Sequence, residues 1–242
     1  MQYLIDFGNS RLKWSIWDGS ALLDQGTIDP LALESGLRGL EWPQIDAVYL
    51  CSVADPALTH AVAVYCDSLS SPQCQTIEVD VSQLPAWFSL GTTLPEQIGK
   101  DRVMAMLGAF AENASYCVID AGSACTIDYV TSGVHLGGYI VPGLALSRSS
   151  LALQTARIGE VADRLYSAKL EPGRNTQQAV EHGIRMSLVA VCQRAIQHAP
   201  AALESVVITG GDSQWLSGHL SGPVTVRENL VFEGIRRFSA GL

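Results

Sequence analysis

One pattern occurs twice in this chain, and it restricts the fold more than any other feature. Residues 3–13 read Tyr-Leu-Ile-Asp-Phe-Gly-Asn-Ser-Arg-Leu-Lys, and residues 116–126 read Tyr-Cys-Val-Ile-Asp-Ala-Gly-Ser-Ala-Cys-Thr. Each is an apolar run, an Asp, a one-residue gap, a Gly and a small hydrogen-bonding residue. Asp120, Gly122 and Ser123 match Asp6, Gly8 and Asn9 at a constant offset (120 − 6 = 114). After the first turn the alternation resumes through Leu12, Trp14 and Ile16, as in a β-hairpin with a carboxylate at its tip. The strand at 205–209, followed by Gly210-Gly211-Asp212, parallels the strand at 45–52 and its loop. A repeat of this kind predicts two domains of one β-β-β-α-β-α plan, 1–114 and 115–242.

The remaining segments fit that plan. A strand is expected at 20–28, a short helix at 31–40, and a helix begun by Asp55-Pro56 that runs to about 69. A further strand at 76–81 precedes a loop in which Trp87 and Phe88 look exposed. Val103, Met106, Leu107, Phe110 and Ala111 keep a helical period, so a helix runs to about Asn113. Asp101 and Arg102 fall near its start, where an acidic group also complements the helix dipole. In the second half, strands at 126–130 and 134–141 lead into a largely helical insertion, about 144–200. It contains short helices at 144–153 and 160–165 and a long one at 176–198, capped by Asn175 or Thr176. Val180, Ile184, Leu188, Val191, Ala195 and Ile196 form the apolar face of that long helix. A strand at 224–226 and a helix at 230–238 close the chain.

Composition narrows the chemistry. A net charge of −9 argues against a phosphate-backbone partner, which needs a basic face, so nucleic acid is not expected. Six cysteines without a C-x-x-C pair suit neither a disulfide framework nor a zinc site, and reduced, mostly buried thiols are expected. No signal-peptide pattern or membrane-length apolar run occurs, and a soluble cytoplasmic protein is expected. The five histidines are scattered, as for surface or partly satisfied positions. G-x-S-x-G, G-x-x-x-x-G-K-[ST] and G-x-G-x-x-G are absent.

The segments Asp6-Phe-Gly-Asn-Ser-Arg-Leu-Lys13, Gly99-Lys-Asp-Arg102, Asp120-Ala-Gly-Ser-Ala-Cys-Thr126, Gly137-Gly-Tyr-Ile-Val-Pro-Gly143 and Asn175-Thr176 occur in one order over almost the whole chain. So do Thr209-Gly-Gly211 and Asn229-Leu230 with Gly234. In this combination the chain resembles the type III pantothenate kinases, which begin coenzyme A synthesis. The resemblance implies an α/β fold of two duplicated ribonuclease H-like (actin-like ATPase) domains, with mixed five-stranded sheets facing a central cleft. It implies that Asp6, Phe7, Gly8, Asn9, Ser10, Arg11, Leu12 and Lys13 form the ATP phosphate loop, with Asp6 near Mg²⁺ and Ser123 also touching ATP. It assigns Gly99, Lys100, Asp101 and Arg102 to the pantothenate site, Asp101 as general base and Arg102 on the substrate carboxylate. Thr176 would also contact pantothenate. Thr92 stands where the family commonly has Tyr, and Ser123 where it usually has Thr. Asp120 would help hold a monovalent cation, K⁺ or NH₄⁺. A homodimer is implied, with each pantothenate site completed by the partner, and no membrane association.

Those roles make chemical sense. Phosphoryl transfer needs charge neutralisation, positioning and a group to take the acceptor's proton. Glycine turns, Lys13 and Mg²⁺ supply the first, and a carboxylate such as Asp101 the last. The same fold could serve a sugar or acetate kinase or a polyphosphate-hydrolysing relative, and an accessory regulatory role is the alternative from another class. Gly99–Arg102 with Asn175-Thr176 speaks for pantothenate.

Overall fold

The computed structural model describes residues 1–40, 45–69, 76–155 and 170–241. In order its elements are β1 (Gln2–Phe7), β2 (Leu12–Asp18), β3 (Ala21–Ile28), α1 (Leu33–Arg38), β4 (Ala47–Ser52), α2 (Pro56–Leu69), β5 (Thr76–Glu78), β6 (Ser89–Leu90) and α3 (Lys100–Ala109). There follow β7 (Ser115–Ala121), β8 (Ala124–Thr131), β9 (Val134–Pro142), α4 (Leu144–Gln154), α5 (Thr176–Gln197), β10 (Ser205–Thr209), α6 (Ser213–Ser217), β11 (Val224–Val226) and α7 (Leu230–Ser239). The helix expected at 160–165 lies outside the described residues.

The duplication is visible in the strand order. The first sheet runs β3-β2-β1-β4-β5, and the second repeats it as β9-β8-β7-β10-β11. In both, the first three strands are antiparallel and the last two join in parallel. The second sheet departs from the expected five strands, because the two-residue β6 adds a sixth beside β9. Nothing in its two residues announces a strand.

Two compact units result. The first comprises 1–89, 93–108 and 229–242, and the second 90–92 and 109–228. The contacts therefore group the closing helix with the first unit rather than with the half of the sequence that carries it. Two glycines explain how closely α7 lies on α3. A Cβ on Gly234 would come 1.7 Å from the Met104 carbonyl oxygen, and one on Gly108 2.1 Å from that of Leu230. Leu230, Phe232, Ile235 and Phe238 bury the inward face of α7, each worth about 1.5–3 kcal/mol. Backbone cannot yield as a flexible side chain does, so Gly234→Ala should cost about 1–3 kcal/mol. The urea midpoint reads this, and an unchanged midpoint would show that the crossing tolerates a methyl group.

Within the first unit, Tyr3, Ile5, Phe7, Leu12, Trp14 and Ile16 share one face of the β1–β2 pair. They pack with Leu37 of α1 and with Val62 and Cys66 of α2. That is the period-2 pattern seen in the sequence. Asp55 starts α2 as expected, its Oδ1 accepting from the amides of Ala57 and Leu58 at 2.8 and 3.3 Å. Three local expectations differ. Phe88 is buried while Trp87 is exposed. The strand at 76–81 stops pairing at Glu78. The α3 helix ends at Ala109, and Asn113 takes a left-handed φ of 56° in the turn beyond.

Candidate active site

The tip of the β1–β2 hairpin is closed by the Gly8 amide donating to the Arg11 carbonyl at 3.0 Å. This leaves Asn9, Ser10 and Arg11 exposed between two anchored ends. The anchors are Phe7 and Leu12, whose side chains are buried in the core and turned from any ligand at the tip. Asp6 and Lys13 are cross-strand partners, so their side chains leave the sheet on one face. Lys13 Nζ lies 3.8 Å from Asp6 Oδ2, with the carboxylate buried and the ammonium half-exposed. A buried carboxylate backed by a reachable cation suits a site that must hold metal and phosphate together.

Gly99-Lys-Asp-Arg102 forms the start of α3. The Val103 amide donates to the Gly99 carbonyl, and the Arg102 amide to Asp101 Oδ1 at 2.8 Å. The carboxylate thus folds back over the open end of the helix, the place in a helix where an acidic side chain complements the dipole. Glycine at 99 leaves it room: a Cβ there would sit 2.5 Å from Asp101 Oδ1. Lys100 points elsewhere, its ammonium 2.6 Å from Glu78 Oε1 of β5. It ties the helix start to the sheet edge. Glu78 is the strand partner of Leu50, so this ion pair holds the start of α3 to the level of the sheet that carries Asp6. Cys51 is the parallel-strand partner of Asp6, and its buried thiol is pushed well up by burial and then by the carboxylates of Asp6 and Asp101.

In the second unit the β7–β8 hairpin turns at Gly122 and Ser123, with Ser123 exposed. The Ser123 carbonyl accepts from the Gly143 amide, just before α4. Asp120 lies under this turn and beside the Gly210-Gly211-Asp212 loop: a Cβ on Gly210 would come 2.5 Å from Asp120 Oδ1. The Asp212 amide donates to the Ala121 carbonyl at 3.0 Å, fixing that loop on β7. Thr176 is exposed at the first position of α5, and Asn175 is the cap, its Oδ1 accepting from the Gln178 amide at 2.8 Å. Thr92 is partly buried and groups with this unit.

Sequence reasoning missed a charged cluster beside that loop. Arg148 of α4 grips Glu181 of α5 with two bonds of 2.7 Å, and Arg185 Nε adds a third at 2.8 Å. Glu181 and Arg185 are almost fully buried, and the Arg185 guanidinium stacks 4.9 Å over the Trp215 ring. Burial holds the Asp212 carboxyl above its ordinary value, with the charges of Arg148 and Arg185 opposing that push. The buried stripe of α5 is Glu181, Ile184, Arg185, Leu188, Cys192 and Ala195, rotated from the expected apolar face. The signal was the Glu181/Arg185 spacing of four residues inside an apolar helix. His135 and His182 are buried rather than at the surface, and His135 is partly satisfied, with one ring nitrogen bonded to Asp128.

Among the described residues no three His, Cys, Asp or Glu side chains form a metal-binding group. Their five cysteines are free and buried, and no helix is long and apolar enough to cross a membrane. A groove of about 550 Å³ runs between α4, α5 and the end of β9, lined by residues such as Leu151, Ile184 and Leu188. None of the expected site residues lines it.

Comparison with known proteins bears on this geometry. Residues 3–198 match the family model for type III pantothenate kinase. A type III pantothenate kinase of Marinobacter nauticus is 35% identical over 251 aligned positions, covering 100% of both chains. That of Acinetobacter baylyi is 32% identical, covering 98% of this chain and 97% of its own. Among solved structures, a Campylobacter jejuni protein described as a Baf family transcriptional activator superposes with a TM-score of 0.66 at 21% identity, covering 98% of this chain and 97% of its own. A Sinorhizobium meliloti protein described as a 2-dehydro-3-deoxygalactonokinase gives 0.58 at 12% identity, covering 100% and 98%. At these identities the two structures share the fold.

Proposed function

The chain belongs to the type III pantothenate kinase family, its activity is ATP-dependent phosphorylation of pantothenate at the start of coenzyme A synthesis, and we propose that Asp101 takes the acceptor proton while the Asp6–Lys13 loop holds the phosphates. The observation that carries this reading is the strand register: Lys100 at the start of α3 holds Glu78, the partner of Leu50, and the neighbouring Cys51 is the partner of Asp6. It brings the end of the phosphate hairpin and the start of α3 to one patch of the first unit.

Each residue then has a physical task. The backbone of Gly8 to Arg11 presents donors to phosphate oxygens, and Lys13 offsets their charge. Phe7 and Leu12 contribute through backbone position alone, because their side chains anchor the loop. Asp101 accepts the hydroxyl proton as the bond to phosphorus forms. Arg102, partly buried beside it, binds the pantothenate carboxylate. Lys100 serves the site indirectly, by holding α3 to Glu78. Ser123 contacts ATP, and Thr92 and Thr176 contact pantothenate.

The residues fit the expected ions. Mg²⁺ commonly takes one or two carboxylates and completes its shell with phosphates and water, so Asp6 alone can hold it without a protein cage. Bound there, the ion neutralises phosphate charge. Asp120, packed against the Gly210 loop, is the anionic ligand proposed for K⁺ or NH₄⁺.

The test is direct. Purified protein given pantothenate, ATP and Mg²⁺ should form 4′-phosphopantothenate and release ADP, with turnover strongly reduced when K⁺ and NH₄⁺ are both removed. Absence of product with both ions present would sink the reading, and indifference to monovalent cations would remove the role of Asp120. We place the enzyme in the cytoplasm, where free buried thiols persist, and as a homodimer. Exposed Leu136, Tyr139 and Ile140 of β9, with Leu146 of α4 and Met186 of α5, give it an apolar surface to cover. Light scattering should return twice 25.9 kDa, and a monomer mass at micromolar concentration would exclude the dimer.

A further inference from the structure

Asp128 of β8 and His135 of β9 form a buried pair that the reaction as described does not use. His135 Nε2 lies 3.0 Å from Asp128 Oδ1, and each residue is only 2% exposed. Among the described residues His135 Nδ1 has no hydrogen-bond partner, and the ring's hydrogen bond is the one to Asp128. A pair of this kind rarely adds stability over well-packed apolar residues, and its best-attested use is to specify one arrangement.

The backbone around it has an unusual shape. Tyr129 pairs with Gly137 but Val130 pairs with His135, so Leu136 is an extra residue and β9 is bulged. Gly137 takes a left-handed φ of 108° within the bulge. Gly138 stands opposite Asp128, and a Cβ there would come 2.6 Å from Asp128 Oδ1. The missing side chain leaves room for the carboxylate that His135 meets. The bulge also receives another segment: the Gly91 amide donates to the His135 carbonyl at 3.0 Å. A Cβ on Gly91 would lie 2.1 Å from that oxygen, so the approach is as close as backbone allows. The residue after this contact is Thr92.

We propose that Asp128 and His135 are positioning residues for the pantothenate side of the reaction: the pair fixes the β9 bulge, the bulge holds Gly91, and Gly91 sets Thr92. This rests on the reading above that Thr92 contacts pantothenate. A leucine at 135 fills the core without anchoring the bulge, whereas glutamine can present an amide nitrogen where Nε2 stands.

The experiment compares His135→Leu, His135→Gln and Gly91→Ala by steady-state kinetics with each substrate varied in turn. His135→Leu should raise the KM for pantothenate at least tenfold, leave the KM for ATP within twofold, and be rescued to within threefold by His135→Gln. Gly91→Ala changes neither side chain of the buried pair but forces its own segment and the His135 carbonyl apart, and it should give the same selective rise, which keeps the test decisive if His135→Leu does not fold. An unchanged pantothenate KM in the folded variants, or equal rises for both substrates, overturns the proposal. Thr92→Val separates the two levels. If it has no effect while Gly91→Ala and His135→Leu retain theirs, the pair still positions the segment and only the Thr92 contact is lost. If Thr92→Val raises the pantothenate KM and Gly91→Ala does not, the positioning role falls alone.

Discussion

Asp101→Asn is expected to lower kcat by about 10²–10⁴-fold, the usual contribution of a general base, while leaving the fold in place. Asparagine keeps the size of the side chain and an oxygen that can accept from the Arg102 amide, as Asp101 Oδ1 does at 2.8 Å. It cannot accept a proton. The helix loses one favourable charge in its first turn, worth about 0.3–1 kcal/mol. For a chain of this length that shifts Tm by at most about 4 °C. Kinetics and a thermal melt on the same preparation check both halves. Activity within tenfold of the parent enzyme would remove the proton-acceptor role.

The second large effect is structural. Glu181 accepts three hydrogen bonds from Arg148 and Arg185. Removing it leaves one buried and one largely buried guanidinium facing each other without their shared anion. Breaking a buried pair from one side costs about 3–5 kcal/mol, so Glu181→Ala should lose that much stability. Protection of the α4 and α5 amides from hydrogen exchange should fall accordingly. A loss under 1 kcal/mol would mean that water or Asp212 compensates.

The same cluster sets a pH dependence. Hydrogen bonds from Arg148, and then from Arg185, hold the Glu181 carboxyl below its ordinary value of 4.5 against the upward push of burial. The folded value is the lower one, so this stabilisation is complete above about 4.5 and disappears as pH falls through the folded value. The parent protein should lose stability over that acidic interval, and Glu181→Ala should lose less over the same interval. Parallel pH profiles of the two proteins would contradict the assignment.

What the sequence revealed, and what it hid, follows from the range of the forces involved. The duplicated hairpins were legible because alternation and a glycine turn are local signals, and both sheets repeat one strand order. The start of α3 was legible as Gly-x-Asp-Arg, and the structure adds why the glycine is there. The pairing of Lys100 with Glu78 was not legible, because the two lie 22 residues apart. His135 read as one of five scattered histidines, since only the bulge of β9 carries it to Asp128. The buried face of α5 was rotated because Glu181 and Arg185, polar by type, are buried by pairing with Arg148 and with each other. Charge satisfied at a distance leaves no periodic trace.

The close crossing of α3 and α7 has a consequence for how the protein is made. The first unit begins at residue 1 and is completed only by residues 229–242. On the ribosome, α3 emerges with nearly every residue from Val103 to Ala109 apolar or small and waits while some 120 further residues are synthesised (229 − 109 = 120). At about 5–20 residues per second that wait lasts about 6–24 s. During it the backbone surface beside Met104 that Gly234 will cover stays open. The second unit, contiguous apart from 90–92, has no such delay. Vectorial synthesis therefore favours completion of the later-made unit first, and the contacts of longest sequence separation close last.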